Sequence, residues 1–266
     1  MIFQKEREDL EVFSFIFGLC IGSFLNVLII KLPKNESIFT KDRSKCPSCN
    51  HLIFWYHNIP LFSYLYLKAK CSYCGAKISF QYFLVELLSA IITLALFIKL
   101  GLNQEFIFMC LLSYVLIMLS FIDLKYKAVP DYLLLIVFIL SFSATNFSII
   151  DSFRNAFLFS GAFVLLNFII TFYIQNIKSR ILKDENLKTQ EALGVGDIPI
   201  IALIGIILGV NSGLVAIFLA AFFAIIPAIY SNFVKKDIQT PFIPYLVLGF
   251  FTEYFFNLET IIKVFY

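Results

Sequence analysis

Two aspartates at the ends of apolar segments are the first candidates for chemistry. Asp123 closes one apolar run in the stretch FIDLKYKAVPD, and Asp197 opens another in GVGDIPI. An ionisable residue in a membrane span is a functional candidate by default, because burial of its charge is costly. Two carboxylates within hydrogen-bonding distance do not both ionise easily, so one can serve as general base on a water molecule and the other as general acid. This is the chemistry of an aspartic protease.

Each aspartate also has a structural explanation. Asp197 could cap the helix that follows it, where the helix dipole favours negative charge. Asp123 could pair with Lys125 or Lys127 at the membrane surface. Asp131, which follows Pro130, fits a capping role better than a catalytic one. Spacing alone leaves both interpretations open.

The glycines before Asp197 favour the catalytic interpretation. Gly194 and Gly196 are expected to let the backbone unwind and to let another segment approach closely. Irregular backbone at membrane depth is tolerated only where it lines a cavity that is wet or enclosed by protein. A hydrolase acting in the membrane requires such a cavity.

Four cysteines form a second candidate site. Two CxxC pairs, 21 residues apart, can deliver four thiolates to a tetrahedral Zn²⁺, and the ligands would be Cys46, Cys49, Cys71 and Cys74. Disulfide or redox use is the alternative, although a cytoplasmic location would disfavour it. His51 or His57 could replace one thiolate on the metal. Cys20 and Cys110 lie inside apolar runs and are interpreted as packing residues.

The elements that position these residues are membrane helices. The chain has 266 residues, is 60% hydrophobic and is only 15% charged, whereas soluble domains contain about 25% charged residues. Its apolar residues form long continuous runs without the alternation of a β-barrel, which predicts an all-α polytopic membrane protein. Eight crossings are expected, at 12–30, 78–98, 106–122, 132–150, 156–177, 198–234 (two helices separated at Asn211-Ser212-Gly213) and 242–258.

The distribution of basic residues predicts the orientation. Lys and Arg accumulate in alternate connections, beginning with the one between spans one and two, so these connections are expected to be cytoplasmic and both termini outside. The N-terminus lacks signal-peptide features, so the first span is expected to remain as an anchor. The net charge of +3 is too small to suggest a nucleic-acid partner. We expect three parts: a first helix (1–32), a cytoplasmic zinc-ribbon-like insert (33–80) and a membrane domain (81–266).

In this order, the motifs resemble the bifunctional prepilin peptidases of type IV pilus and type II secretion systems, which are GxGD-type aspartic intramembrane proteases. GLCIGSFLNVLIIKLP resembles the opening span of that family, and the stretch 43–90 resembles its cysteine-bearing domain. The two aspartate motifs and the closing TPFIPYLVLG are also similar. The resemblance covers nearly the whole chain.

The resemblance implies an inner-membrane enzyme that removes a short basic leader from prepilins or pseudopilins at the cytoplasmic face. It implies Asp123 and Asp197 as the catalytic pair and the four cysteines as zinc-type ligands. It also implies N-methylation of the new N-terminal residue with S-adenosylmethionine. Membrane lipid is the other expected partner, and the oligomeric state is not predicted.

Three positions depart from the family pattern. Pro199 stands where the family has a lysine, Ala69 where it has a glycine, and His57 where it has a glutamate. The last two fall in the domain associated with methylation. Two alternatives therefore accompany the main interpretation: a GxGD protease without methyltransferase activity, and a non-enzymatic membrane scaffold or transporter.

Overall fold

The apolar segments of the chain are helical in the computed structural model, which describes residues 2–37, 45–46, 48–182, 185, 194–230 and 241–265. The chain divides into two compact units, Met1–Ile122 and Asp123–Tyr266. The sequence suggested a division at 1–32, 33–80 and 81–266, and that division remains a prediction.

Unit 1 is built on a close pair of long helices, α1 and α3. Gly18 and Gly22 of α1 lie directly against α3: a Cβ at Gly18 would be 2.7 Å from the Cα of Ala90, and one at Gly22 would be 2.7 Å from the Cα of Glu86. Small residues four apart allow membrane helices to approach this closely. The helices of this unit are α1 (Ile2–Lys31), α2 (Phe62–Tyr66), α3 (Phe80–Leu100) and α4 (Gln104–Tyr126, which continues into unit 2), with 3₁₀ turns at Leu32–Lys34 and Trp55–Asn58.

Unit 2 is organised around one long helix, α8, which packs against α5, α6, α9 and α10. Large apolar side chains on the outside of α6 are exposed, as expected for contact with lipid. The elements are α5 (Asp131–Ala144), α6 (Ile149–Phe172), a π-helical turn (Tyr173–Lys178), α7 (Ser179–Leu182), α8 (Asp197–Tyr230), α9 (Ile243–Phe256) and α10 (Leu258–Phe265).

Helix α8 is broken at Gly209. This residue has φ 76° and ψ −170°, a conformation open essentially only to glycine. The break comes before the predicted one at Asn211-Ser212-Gly213, because backbone conformation rather than side-chain polarity interrupts the helix. The ring of Phe159 on α6 packs on both sides of the break, against Gly205 and Gly213.

Five helices of the described residues are long and apolar enough to cross a membrane: α1, α3, α4, α6 with its continuation, and α8. Helices α5 and α9 are shorter, with 14 residues each. Because Gly209 divides α8, the described chain has apolar helical segments at all eight predicted positions.

The boundary between the fourth and fifth predicted spans was wrong. Helix α5 ends at Ala144 rather than at residue 150, and α6 begins at Ile149 rather than at residue 156. The hydroxyl of Thr145 donates to the carbonyl of Ile206 on α8 (2.8 Å), and Ser148 caps α6 by accepting the N–H of Asp151 (3.1 Å). The predicted span began two turns too late because the first two turns of α6 contain Asp151 and Arg154, and the prediction followed charge-free runs.

A buried glutamate joins α9 to α10. The carboxylate of Glu253 is 1% exposed and accepts the backbone N–H groups of Leu258 (3.1 Å) and Glu259 (3.2 Å). These are unpaired donors at the start of α10, so Glu253 satisfies them. Asn257, with φ 46°, makes the turn between the helices.

Candidate active site and cysteine cluster

Asp123 lies near the C-terminal end of α4, where its side chain is 8% exposed. Its Oδ2 accepts the backbone N–H of Ile243, the first residue of α9, at 3.2 Å. An N–H group at a helix start has no partner within the helix, so it is a natural donor to a carboxylate. The amino end of α9 therefore orients this aspartate. The sequence does not predict that Ile243 contacts Asp123, because a residue of any type can supply a backbone N–H donor.

Asp197 is the first residue of α8 and is 6% exposed. Its carboxylate accepts the backbone N–H of Gly194, so the side chain turns back toward the GVGD loop. Asp123 is close enough for its charge to act on the carboxyl of Asp197. Unit 2 therefore holds two buried, interacting carboxylates, each with a backbone donor.

The GVGD loop packs against the segment that follows α4. A Cβ added at Gly196 would be 3.3 Å from Cγ2 of Val129, which is closer than side chains ordinarily approach. A Cβ at Gly194 would be 3.5 Å from Oδ2 of Asp197, an ordinary contact. Neither glycine has a positive φ, so close approach rather than left-handed backbone explains Gly196.

Asp131, Pro199 and Lys125 lie near the two aspartates in the sequence, but none of them belongs to the carboxylate pair. Asp131 is exposed in the first turn of α5, where negative charge is favoured by the helix dipole, and Pro130 is the N-cap itself. Pro199 lies in the first turn of α8, where its missing N–H has no helical role. The ammonium group of Lys125 lies 5.3 Å from the ring centroid of Tyr126.

The four cysteines lie on two hairpins of the same design. In the first, the N–H of Cys46 donates to the carbonyl of His51 (3.0 Å), and the N–H of Asn50 donates back to Cys46 (2.8 Å). In the second, Cys71 donates to Ala76 (2.8 Å), and Gly75 donates back to Cys71 (3.0 Å). Asn50 and Gly75, at equivalent positions, have φ of 54° and 70°.

The sulfur atoms of these hairpins form one cluster, in which the four Sγ atoms lie within 4.8 Å of one another. The Sγ atoms of Cys46 and Cys74 are 3.9 Å apart, and the cysteines are free thiols. Four sulfurs at about 2.3 Å from a tetrahedral Zn²⁺ lie roughly 3.8 Å from one another. The residues present therefore fit a zinc ion. His57 is engaged elsewhere, with its Nδ1 3.2 Å from the hydroxyl of Ser72.

The thiols of the first hairpin differ in acidity. The backbone N–H groups of Cys49 and Ser48 lower the pKa of Cys46 to about 6. The backbone N–H of His51 favours the thiolate of Cys49, but burial and the neighbouring sulfurs raise its pKa to about 11. Crowded thiols resist full ionisation, and a bound divalent cation removes that conflict.

The insert is tied to α3 by Glu86, which is 8% exposed. Its Oε2 accepts the N–H of Leu61 at 2.8 Å. Leu61 has φ 58° and ψ −49° in a tight turn closed by Phe62 N–H to the carbonyl of Pro60 (2.7 Å). Such a backbone is unfavourable for a leucine, so the carboxylate stabilises a strained turn. The sequence shows Glu86 only as a charged residue within the second predicted span and does not predict its bond to Leu61.

Comparison with known proteins gives matches over both units. Residues 16–100 match the bacterial Peptidase A24 N-terminal domain, and residues 110–229 match the type IV leader peptidase family. No solved structure matches the chain.

Several relatives carry the name prepilin leader peptidase/N-methyltransferase, and three of them illustrate the similarity. The Myxococcus xanthus protein is 38% identical over 195 residues, which are 73% of this chain and 55% of the relative. The Vibrio cholerae protein is 35% identical over 206 residues, 74% of this chain and 76% of the relative. The Bacillus subtilis protein is 29% identical over 248 residues, 91% of this chain and 93% of the relative. With 35% identity across three quarters of the Vibrio cholerae protein, this chain is a member of the type IV leader peptidase family.

Proposed function

We propose that this protein is an inner-membrane endopeptidase that removes the leader of type IV prepilins or pseudopilins, and that it also methylates the new N-terminal residue. The observation that carries the peptidase assignment is the pair of buried, interacting carboxylates of Asp123 and Asp197, each with its own backbone donor. The names of the relatives support both activities.

In this mechanism the two aspartates share the proton transfers of hydrolysis. One carboxylate accepts a proton from water while the water oxygen bonds to the scissile carbonyl carbon, and the other, protonated, donates to the carbonyl oxygen. Collapse of the tetrahedral diol re-forms a C=O bond and breaks the C–N bond. One diol hydroxyl returns its proton to the second carboxylate, and the leaving amine takes a proton from the first carboxyl group. The products are a carboxylate on the leader and a free N-terminal amine on the mature pilin.

The site is proposed to face the cytoplasm, with both termini outside, on the basis of the basic connections. Asp123 lies in the last turn of α4, while Asp197 begins α8, so each lies at or near the end of a membrane-length helix. A pair at the membrane edge reaches a peptide bond where the substrate helix leaves the bilayer. The scissile bond is therefore expected between a basic leader and an apolar segment of about 20 residues.

Zinc is proposed to be structural. Cys46, Cys49, Cys71 and Cys74 would hold it, and the ion would supply folding free energy to an insert in which few of the described residues are buried and apolar. S-adenosylmethionine is the proposed methyl donor for the second activity. The mass of the N-terminus of the cleaved prepilin tests this second activity.

Mass spectrometry of the product tests the proposal. The purified protein in detergent is incubated with a prepilin, with and without S-adenosylmethionine, and the N-terminus of the product is sequenced. Cleavage directly before the apolar segment supports the peptidase, and a further 14 Da on the new terminus supports methyl transfer. An intact prepilin after incubation with folded, zinc-loaded protein contradicts the first activity. A cleaved but unmethylated product contradicts only the second.

A further inference from the structure

Helix α2, in the insert of unit 1, has an exposed apolar face. Its most exposed side chains are those of Phe62, Leu65 and Tyr66, which are 70%, 64% and 83% exposed. Residues at spacings of i, i+3 and i+4 lie on one side of a helix, so these three side chains form one surface. The two residues between them, Ser63 and Tyr64, are half-buried on the other side. Large apolar side chains are unfavourable in water, so this face needs an apolar neighbour.

Two contacts place α2 beside the beginning of α3. The N–H of Leu61, which precedes α2, donates to Oε2 of Glu86 at 2.8 Å, and the ring centroids of Tyr64 and Phe83 are 5.4 Å apart. Phe83 and Glu86 come three and six residues after Phe80, where α3 begins, which is about 4.5 and 9 Å along its axis. Helix α2 therefore lies level with the first two turns of α3.

Those two turns belong to a membrane-length helix. Helix α3 has 21 residues and is about 32 Å long, close to the hydrocarbon thickness of about 30 Å. Lys77 and Lys99 bracket a run in which Glu86 is the only charged residue. The side chain of Glu86 tilts toward the amino end of α3, so Leu61 lies nearer the surface than the Cα of Glu86. Interfacial segments bury their apolar face about 5–10 Å into the boundary of headgroups and acyl chains, and α2 lies at that depth.

The charge of the insert is complementary to an anionic membrane surface. The sequence from residue 43 to residue 85 contains no Asp or Glu, and its Lys and Arg residues are Arg43, Lys45, Lys68, Lys70 and Lys77. Lys68 and Lys70 directly follow α2, and both are exposed. Basic residues near the surface are attracted to anionic lipids. The same positive charge would repel the basic leader of a prepilin, so the leader is a poor occupant of this face.

We propose that α2 is a membrane anchor, which inserts its exposed face into the leaflet where α3 begins. Phe62 and Leu65 would contact acyl chains, and Tyr66 would lie with its hydroxyl at the headgroups, as aromatic residues do at membrane interfaces. Lys68 and Lys70 would contact the phosphates of anionic lipids. That this leaflet is the cytoplasmic one rests on the proposed function, whereas the anchoring itself does not.

Backbone hydrogen bonds connect this anchor to the cysteine cluster. The N–H of Ala69 donates to the carbonyl of Tyr64 in α2 (2.8 Å), and the carbonyl of Ala69 accepts the N–H of Ile78 (2.8 Å). The hairpin of Cys71 and Cys74 lies between Ala69 and Ile78 in the chain. An anchored α2 therefore holds this hairpin at the membrane surface.

Quenching of a single tryptophan measures the depth of α2. Trp55 is the only tryptophan of the sequence, so Trp55→Phe gives a background in which one tryptophan at a time is introduced. Tyr66→Trp reports on α2, Phe80→Trp on the start of α3, and Glu8→Trp, in the charged stretch KERED of α1, is the control for water. The full-length, zinc-loaded protein is placed in nanodiscs of phosphatidylcholine and phosphatidylglycerol. The quenchers are lipids with brominated acyl chains and water-soluble acrylamide.

We expect brominated lipid to quench Tyr66→Trp about as strongly as Phe80→Trp and at least about twofold more than Glu8→Trp, because an interfacial side chain reaches the acyl boundary. Acrylamide should quench the three variants in the opposite order. Quenching of Tyr66→Trp by acrylamide alone would show that the face lies in water. Protection of Tyr66→Trp from both quenchers would show that protein covers the face. Either result overturns the proposal.

Amide exchange of α2 provides a second measurement, which needs no tryptophan substitution. The N–H groups of Leu65 and Leu67 donate to the carbonyls of Leu61 and Ser63 (3.0 and 2.9 Å), so their exchange reports on α2. We expect slower exchange in nanodiscs that contain phosphatidylglycerol than in phosphatidylcholine alone.

Lys68→Gln and Lys70→Gln should each remove about fivefold of this protection, the factor expected for one lysine at an anionic surface. Lys5→Gln, near the amino end of α1, is the matched control and should retain the full protection. Equal exchange in the two lipid compositions, or equal exchange in Lys68→Gln and Lys5→Gln, overturns the proposed contacts with anionic lipid.

Prepilin cleavage is recorded in the same nanodiscs, so that the two proposals can fail separately. A protein with α2 in the membrane that does not cleave contradicts the proposed function and leaves the anchor standing. A protein that cleaves while α2 lies in water contradicts only the anchor.

Discussion

At the scale of single residues, the carboxylates of Asp123 and Asp197 accept hydrogen bonds from different backbone donors. Asp123 is oriented by the first N–H of α9, and Asp197 by the N–H of Gly194 in its own loop. An amide in place of either carboxylate fills the same space but neither accepts nor delivers a proton in hydrolysis.

Asp123→Asn and Asp197→Asn should therefore each reduce prepilin cleavage at least about 100-fold, the scale of one lost proton-transfer group. The control is Asp131→Asn, which changes an exposed aspartate in the first turn of α5 and should leave cleavage within a few-fold of wild type. Initial rates and membrane insertion would be measured together. A folded single variant that retains near-normal cleavage contradicts the assignment of the pair.

Ala69 stands where the family has a glycine, and its backbone conformation is strained for an alanine. It has φ 57°, in the left-handed region that glycine adopts without strain, and its carbonyl accepts the N–H of Ile78 (2.8 Å). Ala69→Gly should stabilise the second hairpin by about 0.5–1 kcal/mol, after the entropy cost of glycine in the unfolded chain. Amide exchange at Ile78 should slow about two- to fivefold. Ala76→Gly, at a position without positive φ, should instead speed exchange, and the opposite ranking would refute this account.

At the scale of elements, the helices were predictable from the sequence, but the exact positions of their interruptions were not. Long apolar runs and the aspartates at their ends located α1, α3, α4 and α8. The break in α8 was predicted two residues too late. Several glycines lie in this apolar run, and the sequence does not show that Gly209 is the one with a positive φ. The donors to Asp123 and Glu86 are backbone groups, and side-chain patterns carry no information about them. The cysteine cluster was predictable because two CxxC pairs at this separation have the spacing of zinc ligands.

The GVGD loop is an element whose packing can be tested separately from its chemistry. Gly196→Val adds atoms where a Cβ alone would already be 3.3 Å from Val129, so the loop must move and carry Asp197 with it. We expect cleavage to fall at least about tenfold, since displacement of about 1 Å costs catalysis that much or more. Gly161→Val on α6 is the control, because nothing lies within 4 Å of a Cβ there. Equal activity of the two variants would show that the loop tolerates the shift.

The paired hairpins should behave as one metal-dependent element. We expect one Zn²⁺ per chain, and Cys49→Ser should release it and raise amide exchange across the hairpins. Cys20→Ser, which changes a cysteine of α1 outside the cluster, should retain the metal. Elemental analysis and exchange mass spectrometry give the two readouts. Absence of zinc from the wild type, or disulfides between these cysteines, would refute the prediction.

At the scale of the whole molecule, helix length limits which substrates can reach the aspartates. In unit 2, α5 and α9 have 14 residues each, so each extends about 21 Å. A substrate helix packed in the membrane presents its scissile bond only at its end. Its leader, rich in Lys and Arg, would stay at the anionic inner surface.

Inserting several polar residues between the leader and the apolar segment of a prepilin should therefore reduce cleavage at the original bond. The control inserts the same residues upstream of the basic cluster, which leaves the distance from cluster to membrane unchanged. Cleavage products of both substrates would be identified by mass spectrometry. Efficient cleavage of the first substrate at its original bond would show that register relative to the membrane does not select the site.

The close contact of α1 with α3 has a consequence for how the chain folds. About 50 residues separate the two helices, and their ends must meet for Gly18 and Gly22 to reach α3. The entropy of closing a loop grows only as the logarithm of its length. A metal that links Cys46 to Cys74 shortens the free loop to about 20 residues, which lowers the closure cost by less than about 1 kcal/mol. Helix pairing therefore depends little on the ion, and a chelator should disorder the insert while α1 and α3 remain together in the membrane.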